Sequence, residues 1–114
     1  MEWKTLTDQI QLEEIDQASF DHPVVIFKHS TRCSISSTAL NRVKSATNGA
    51  MGEFTELYYL DLLSYRGISD AIADRYAIEH QSPQVIMVRN GKAAYEATHL
   101  SIYPEELRNV AAQQ

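Results

Sequence analysis

Val24-Val25-Ile26-Phe27-Lys28-His29-Ser30-Thr31-Arg32-Cys33-Ser34-Ile35-Ser36 is the stretch that decides how this chain reads. Its first four residues form an unbroken apolar run. Such a run implies a strand buried on both faces, as at the centre of a sheet covered by helices. From about Ser34 to Thr47 the residues suit a helix, with Ala39, Leu40, Val43 and Ala46 at helical spacing. Cys33, the only cysteine, therefore falls where a buried strand ends and a helix begins. A thiol there meets unpaired backbone N–H groups and the positive end of the helix dipole. Both favour the thiolate, which is the reactive form.

A lone cysteine also has a plainer reading, because free cysteine is among the most buried residue types and commonly serves as a small hydrophobe. The neighbours of Cys33 argue the other way. Ser30, Thr31, Arg32, Ser34 and Ser36 are polar, and Lys28, His29 and Arg32 are basic and would lower the thiol pKa if turned toward it. Cys33 is thus the candidate catalytic nucleophile, with Ser36, Arg32 and His29 as candidates for tuning its thiolate. Ser36 lies one helical turn further on and completes Cys-x-x-Ser, a dithiol motif with one sulfur replaced by oxygen. Its hydroxyl either donates to the thiolate or bonds to backbone like any polar residue of a first turn. His29 either influences the thiol or packs as a hydrogen-bonded histidine at the end of a buried strand.

The rest of the chain falls into place around this stretch. An acidic amphipathic helix is expected from about Asp8 to Ser19, capped by Thr7 or Asp8, with Leu12 and Ile15 facing inward. Strands are expected over Val24 to Lys28, Phe54 to Leu62, Gln84 to Val88 and Lys92 to Thr98. Asn48-Gly49 suits the end of the second helix. Ser64 is placed to cap a third, carrying Ile68, Ala71, Ile72 and Tyr76. Asn90-Gly91 is a two-residue hairpin turn, and Pro104 with Glu105 and Glu106 opens a last helix. The order α-β-α-β-α-β-β-α implies a mixed sheet, because a strand–helix–strand opening makes parallel neighbours and a hairpin makes antiparallel ones. No repeat, low-complexity tract or linker interrupts it, so one domain over residues 1–114 is expected.

Composition narrows the function classes. The chain has 114 residues, 44% of them hydrophobic, which is enough for one core. Fifteen acidic against ten basic residues give a net charge of -5, with no basic face interleaved with aromatics. Nucleic acid is therefore not an expected partner. No apolar run approaches the roughly 20 residues that a membrane-spanning helix needs. Met1-Glu2-Trp3-Lys4 lacks the apolar stretch of a signal peptide, and one cysteine cannot form an internal disulfide. A cytoplasmic, reducing location is the expectation. His22, His80 and His99 are scattered, and no pair has metal-ligand spacing, so no metal is expected.

The element order, with a cysteine after the first buried strand and Ser82-Pro83 before the third, resembles the thioredoxin-like fold, a central four-stranded mixed sheet flanked by helices. More narrowly, Phe27 to Ser36 is similar to the active-site segment of the bacilliredoxin C family, also called YtxJ-like proteins. His80-Gln81-Ser82-Pro83-Gln84 and Asn90-Gly91-Lys92 resemble that family's later signatures. Two departures stand out. The family usually has Pro directly after the cysteine, where this chain has Ser34, and its last helix often opens on a Thr cap, where this chain has Tyr103.

The resemblance implies a monothiol, glutaredoxin-like thiol-disulfide oxidoreductase. Its co-substrate would be bacillithiol or another low-molecular-weight thiol, with no bound cofactor, and its partners would be S-thiolated client proteins. It also implies substrate-binding roles for Thr31, Ser82 and Pro83. A cis Pro83 beside the cysteine would free the backbone of Ser82 to pair with a bound thiol or peptide. Apart from the resemblance, Pro83 would read as a trans proline opening a strand, since only about 5–6% of X–Pro bonds are cis. Arg32 either attracts a carboxylate of the small thiol, because bacillithiol carries malate, or is a solvated surface residue. Two other functions compete. One is a monothiol glutaredoxin-like iron–sulfur carrier, which usually shows Cys-Gly-Phe-Ser, absent here. The other is a non-catalytic thioredoxin-fold adaptor with an inert Cys33.

Overall fold

The structure is a computed structural model that describes residues 3–30, 34–46 and 56–112. Along the chain come β1 (Trp3–Thr5), α1 (Gln11–Ala18), β2 (Val24–His29), α2 (Ser34–Ala46), β3 (Glu56–Asp61), α3 (Arg66–Tyr76), β4 (Gln84–Arg89), β5 (Lys92–Thr98), a short 3₁₀ turn (His99–Ser101) and α4 (Pro104–Ala112). The strands form one sheet in the order β1-β3-β2-β4-β5. β1, β3 and β2 run parallel, while β4 runs antiparallel to both β2 and β5.

The apolar run of the opening stretch explains the centre of this sheet. Strand periodicity sends Val25 and Phe27 to one face and Val24 and Ile26 to the other, so both faces need cover. On the first face Val25 and Phe27 pack with Ala39 and Val43 of α2, Leu57, Val85, Met87, and Leu107 of α4. On the second, Val24 and Ile26 pack with Leu12 and Ile15 of α1, Leu60, and Ile68, Ile72 and Tyr76 of α3. Asp16 ties the helices of the second face together. It accepts from Arg75 Nε at 2.7 Å and from the Tyr76 hydroxyl at 2.6 Å.

Several boundaries differ from expectation. The sheet has five strands rather than four, because Trp3–Thr5 pairs in parallel with Leu57 to Tyr59. Three residues at an edge are too short to display a strand's alternation. α1 begins at Gln11 rather than near Asp8, because Gln11 folds its side-chain carbonyl back onto the N–H groups of Thr7 and Asp8 (2.8 and 3.0 Å). The Asp8 carboxylate meanwhile accepts from Ile10 N–H at 3.1 Å, which holds these residues in a turn. Ser64 does not cap α3. Its hydroxyl donates to Asp61 at 3.1 Å, and the helix starts two residues later after Tyr65. The stop expected at Asn48-Gly49 and the strand start at Phe54 lie outside the described residues. The hairpin is as expected: Asn90 and Gly91 have φ of 53° and 75°, the left-handed pair that a tight two-residue turn demands.

Candidate thiol-exchange site

β2 and α2 approach each other at the ends that flank residues 31–33. Thr31, Arg32 and Cys33 lie outside the described residues, so the expectations on them are neither met nor opposed here. What the structure shows is the frame on both sides of that segment.

Ser36 forms the near side of the frame. It is fully buried, and its Oγ accepts the Ser30 backbone N–H at 3.0 Å and lies 2.7 Å from His29 Nδ1. One hydroxyl thus ties the end of β2 to the first turn of α2. The hydroxyl carries a single proton. When Nδ1 is unprotonated, Ser36 donates to it; when Nδ1 carries the proton, His29 donates and the hydroxyl hydrogen is released for another acceptor. The state of His29 therefore decides whether Ser36 can donate elsewhere. The His29 ring is 5% exposed and sits between Phe27 and Tyr59, with centroids 5.8 and 5.6 Å away. It is a packed, hydrogen-bonded histidine on the α2 face of the sheet. Its carbonyl accepts Leu62 N–H at 3.1 Å, which anchors the loop after β3 to the same strand end.

Ser82 and Pro83 form the far side. The peptide bond between them is cis, as expected. β4 starts directly after it, with Gln84 opposite Lys28 in the antiparallel ladder. Pro83 therefore follows beside the end of β2 that carries His29. The Pro83 carbonyl accepts His99 N–H at 2.9 Å, with His99 at φ 52°. Ser82 Oγ is buried and makes no hydrogen bond among the described residues.

Lys28 lies elsewhere than its place in the sequence suggested. Alternation turns it to the opposite face from His29 and Ser36, toward α3. There its fully buried side chain donates from Nζ to the Ser69 carbonyl at 3.2 Å and reaches His80 Nδ1 at 3.3 Å. The Ser69 hydroxyl is also 3.1 Å from that nitrogen. Burial pushes the Lys28 amine down to about 8, with Asp70 opposing the shift. Burial, and then the Lys28 charge, hold His80 below the ordinary histidine range. In the sequence His80 is one of several scattered histidines, and nothing there singles out Ser69. The signal was present in Val24-Val25-Ile26-Phe27-Lys28, where period-two counting puts Lys28 on a buried face with Val24 and Ile26.

Among the described residues no three His, Cys, Asp or Glu side chains gather as a metal site. No helix there is long and apolar enough to cross a membrane. What the described residues bring together is the end of a buried strand, a helix N-terminus tied to it through Ser36, and a cis-proline turn on the neighbouring strand.

Comparison with known proteins agrees with that frame. One solved structure, described as a candidate oxidoreductase with a thioredoxin fold, shares 26% identity with a TM-score of 0.81, covering 95% of this chain and 92% of its own. The thioredoxin of Malassezia sympodialis (17%, TM-score 0.74, covering 98% and 90%) and that of Fasciola hepatica (15%, TM-score 0.69, covering 95% of each) show the same fold. The model of the monothiol bacilliredoxin BrxC family matches residues 4–107. With a thioredoxin-like fold and that match over nearly its whole length, the chain belongs to the monothiol bacilliredoxin BrxC family, whose chemistry is thiol redox exchange.

Proposed function

We propose that this protein removes a low-molecular-weight thiol, bacillithiol, from mixed disulfides on client proteins, using Cys33 alone as nucleophile. The Cys33 thiolate attacks the bacillithiol sulfur of the client's mixed disulfide. A new disulfide joins Cys33 to bacillithiol, the old one breaks, and the client's cysteine leaves as thiolate. A second bacillithiol thiolate then attacks the adduct and releases Cys33 with bacillithiol disulfide as product. The electron pairs balance at each step, and no second protein cysteine is needed. The observation that carries this reading is the match to the monothiol bacilliredoxin family in a chain whose sequence has a single cysteine, Cys33.

Thiol exchange works best when the attacking thiol ionises near ambient pH. A Cys33 pKa below the free value of about 8.5 is therefore expected. The test combines a pH series of Cys33 alkylation with incubation against a bacillithiol-modified client, read by intact mass. The expected result is one bacillithiol per chain, on Cys33, released by excess free thiol. A titration midpoint at or above that of free cysteine, or no transfer, overturns the reading and leaves a non-catalytic adaptor.

A further inference from the structure

The loop that ends in Ser82-Pro83 is held from inside the sheet by a group that thiol chemistry itself does not require. Lys28 is fully buried, and among the described residues its amine has a backbone carbonyl and an imidazole as hydrogen-bond partners rather than a carboxylate. A lysine in such a place costs stability, so its presence calls for a reason beyond packing. Its contacts point to one. Ser69 belongs to α3, His80 belongs to the loop, and Lys28 itself is in the strand that runs into residues 31–33. The same loop is fastened twice more. The fully buried Gln84, cross-strand neighbour of Lys28, donates from Nε2 to the Glu79 carbonyl at 3.2 Å, and His99 N–H holds the Pro83 carbonyl. Glu79, His80 and Pro83 are thus each gripped, and the grip on His80 is the one that comes through Lys28.

We propose that Lys28 is a positioning residue for the Ser82-Pro83 turn: by holding His80 against α3 it sets where that turn sits relative to the strand end leading to Cys33. This rests on the thiol-exchange reading for its functional consequence, though not for its structural one. The arrangement works in one protonation pattern. With Lys28 charged, Nδ1 of His80 must be bare to accept from it, and the imidazole is then neutral. The charged groups that act on the cluster are Asp70 and Arg66 of α3; β3 offers Leu60 and β4 offers Gln84, both neutral. Protonating His80 would set two cations against each other, and removing the amine would leave the Ser69 hydroxyl as the partner of His80 Nδ1 among the described residues.

The test uses the whole chain with Lys28→Met, which keeps the stem and deletes the amine, and with the exposed His80→Ala as a second, independent cut. Backbone amide resonances of His80, Ser82 and Gln84 report the turn. KM for a bacillithiol-modified client reports its use. Alkylation of Cys33 by a small reagent, which needs no docking surface, reports the thiol. Both variants are expected to move the Ser82 and Gln84 resonances, to raise KM by about tenfold and to change alkylation by less than about twofold. The double variant should be no worse than either single one, because both cut the same link. If wild type transfers no bacillithiol, the thiol-exchange reading fails while the resonances still decide the positioning role. Unmoved Ser82 and Gln84 resonances in both variants overturn the positioning role, as does an alkylation loss as large as the KM change.

Discussion

At the scale of single residues, Ser36 shows how much one hydroxyl can hold. It is fully buried, accepts the Ser30 N–H and faces His29 Nδ1, and so ties the chain at the end of β2 to the first turn of α2. Ser36→Ala removes the acceptor of a backbone donor and a polar neighbour of a buried ring. A loss of about 1–3 kcal/mol in unfolding free energy is expected, the usual cost of leaving a buried polar group without its partner. Transfer of bacillithiol to Cys33 should survive, since Ser36 cannot accept or donate a sulfur. Urea unfolding and intact-mass transfer on the same preparation check both halves. A variant as stable as wild type would mean that water replaces the hydroxyl, and lost transfer would give Ser36 a direct part in exchange. The sequence offered Ser36 two roles, a donor to the thiolate or an ordinary first-turn partner of backbone. The bond to Ser30 N–H belongs to the second, while His29 stands between Ser36 and the first. That dependence could not be read from spacing, because it needs the end of a strand and the first turn of a helix brought to 2.7 Å.

At the scale of elements, α3 and the loop behind it form one unit. α3 ends on Ala77 in the left-handed conformation, φ 54°, with the Ala77 and Ile78 N–H groups both bonded to the Ala73 carbonyl. Glycine adopts that conformation without penalty, whereas alanine does not. Ala77→Gly should therefore raise stability by about 0.5–1 kcal/mol, net of glycine's greater freedom when unfolded. Thermal unfolding checks it, and a lower melting temperature would show that the unfolded-state term wins. Most of the elements were legible because their signals are local. The apolar run of β2, the helical spacing of α2 and α3 and the Asn90-Gly91 turn each need only their own residues. β1 was not legible, since Trp3–Thr5 becomes a strand only by pairing with β3. The caps were misplaced where a side chain found a nearer partner: Gln11 bonds back to Thr7 and Asp8, and Ser64 donates to Asp61. The meeting of Lys28, Ser69 and His80 depends on three elements at once, and only the Lys28 part of it left a mark in the sequence pattern.

At the scale of the whole molecule, the buried lysine sets a term in the pH dependence of stability. In the folded chain the Lys28 amine titrates at about 8, pushed down by burial. In the unfolded chain it returns to the ordinary lysine range, about 10.4. Below pH 8 both states carry the proton, and the folded state bears the full cost of a buried charge. Between the two values the folded state has shed the proton and the unfolded state has kept it, so the unfolded state binds more protons and stability rises with pH. Tyrosines oppose this at the upper end. Burial raises Tyr58, Tyr59 and Tyr76, and pushes Tyr95 up to about 12 with help from Glu106. Above the ordinary tyrosine value of about 10, the unfolded state loses those protons first and stability falls. The Lys28 contribution is therefore visible between about pH 8 and 10. Lys28→Met removes it and leaves the tyrosines and the Cys33 thiol in place, so their effects cancel in the difference between the two proteins. Urea unfolding at pH 7, 8, 9 and 10 should find the variant more stable at pH 7, with the gap closing steadily toward pH 10. Parallel curves across that range would show that the Lys28 amine titrates at its ordinary value, and that its burial costs the fold nothing.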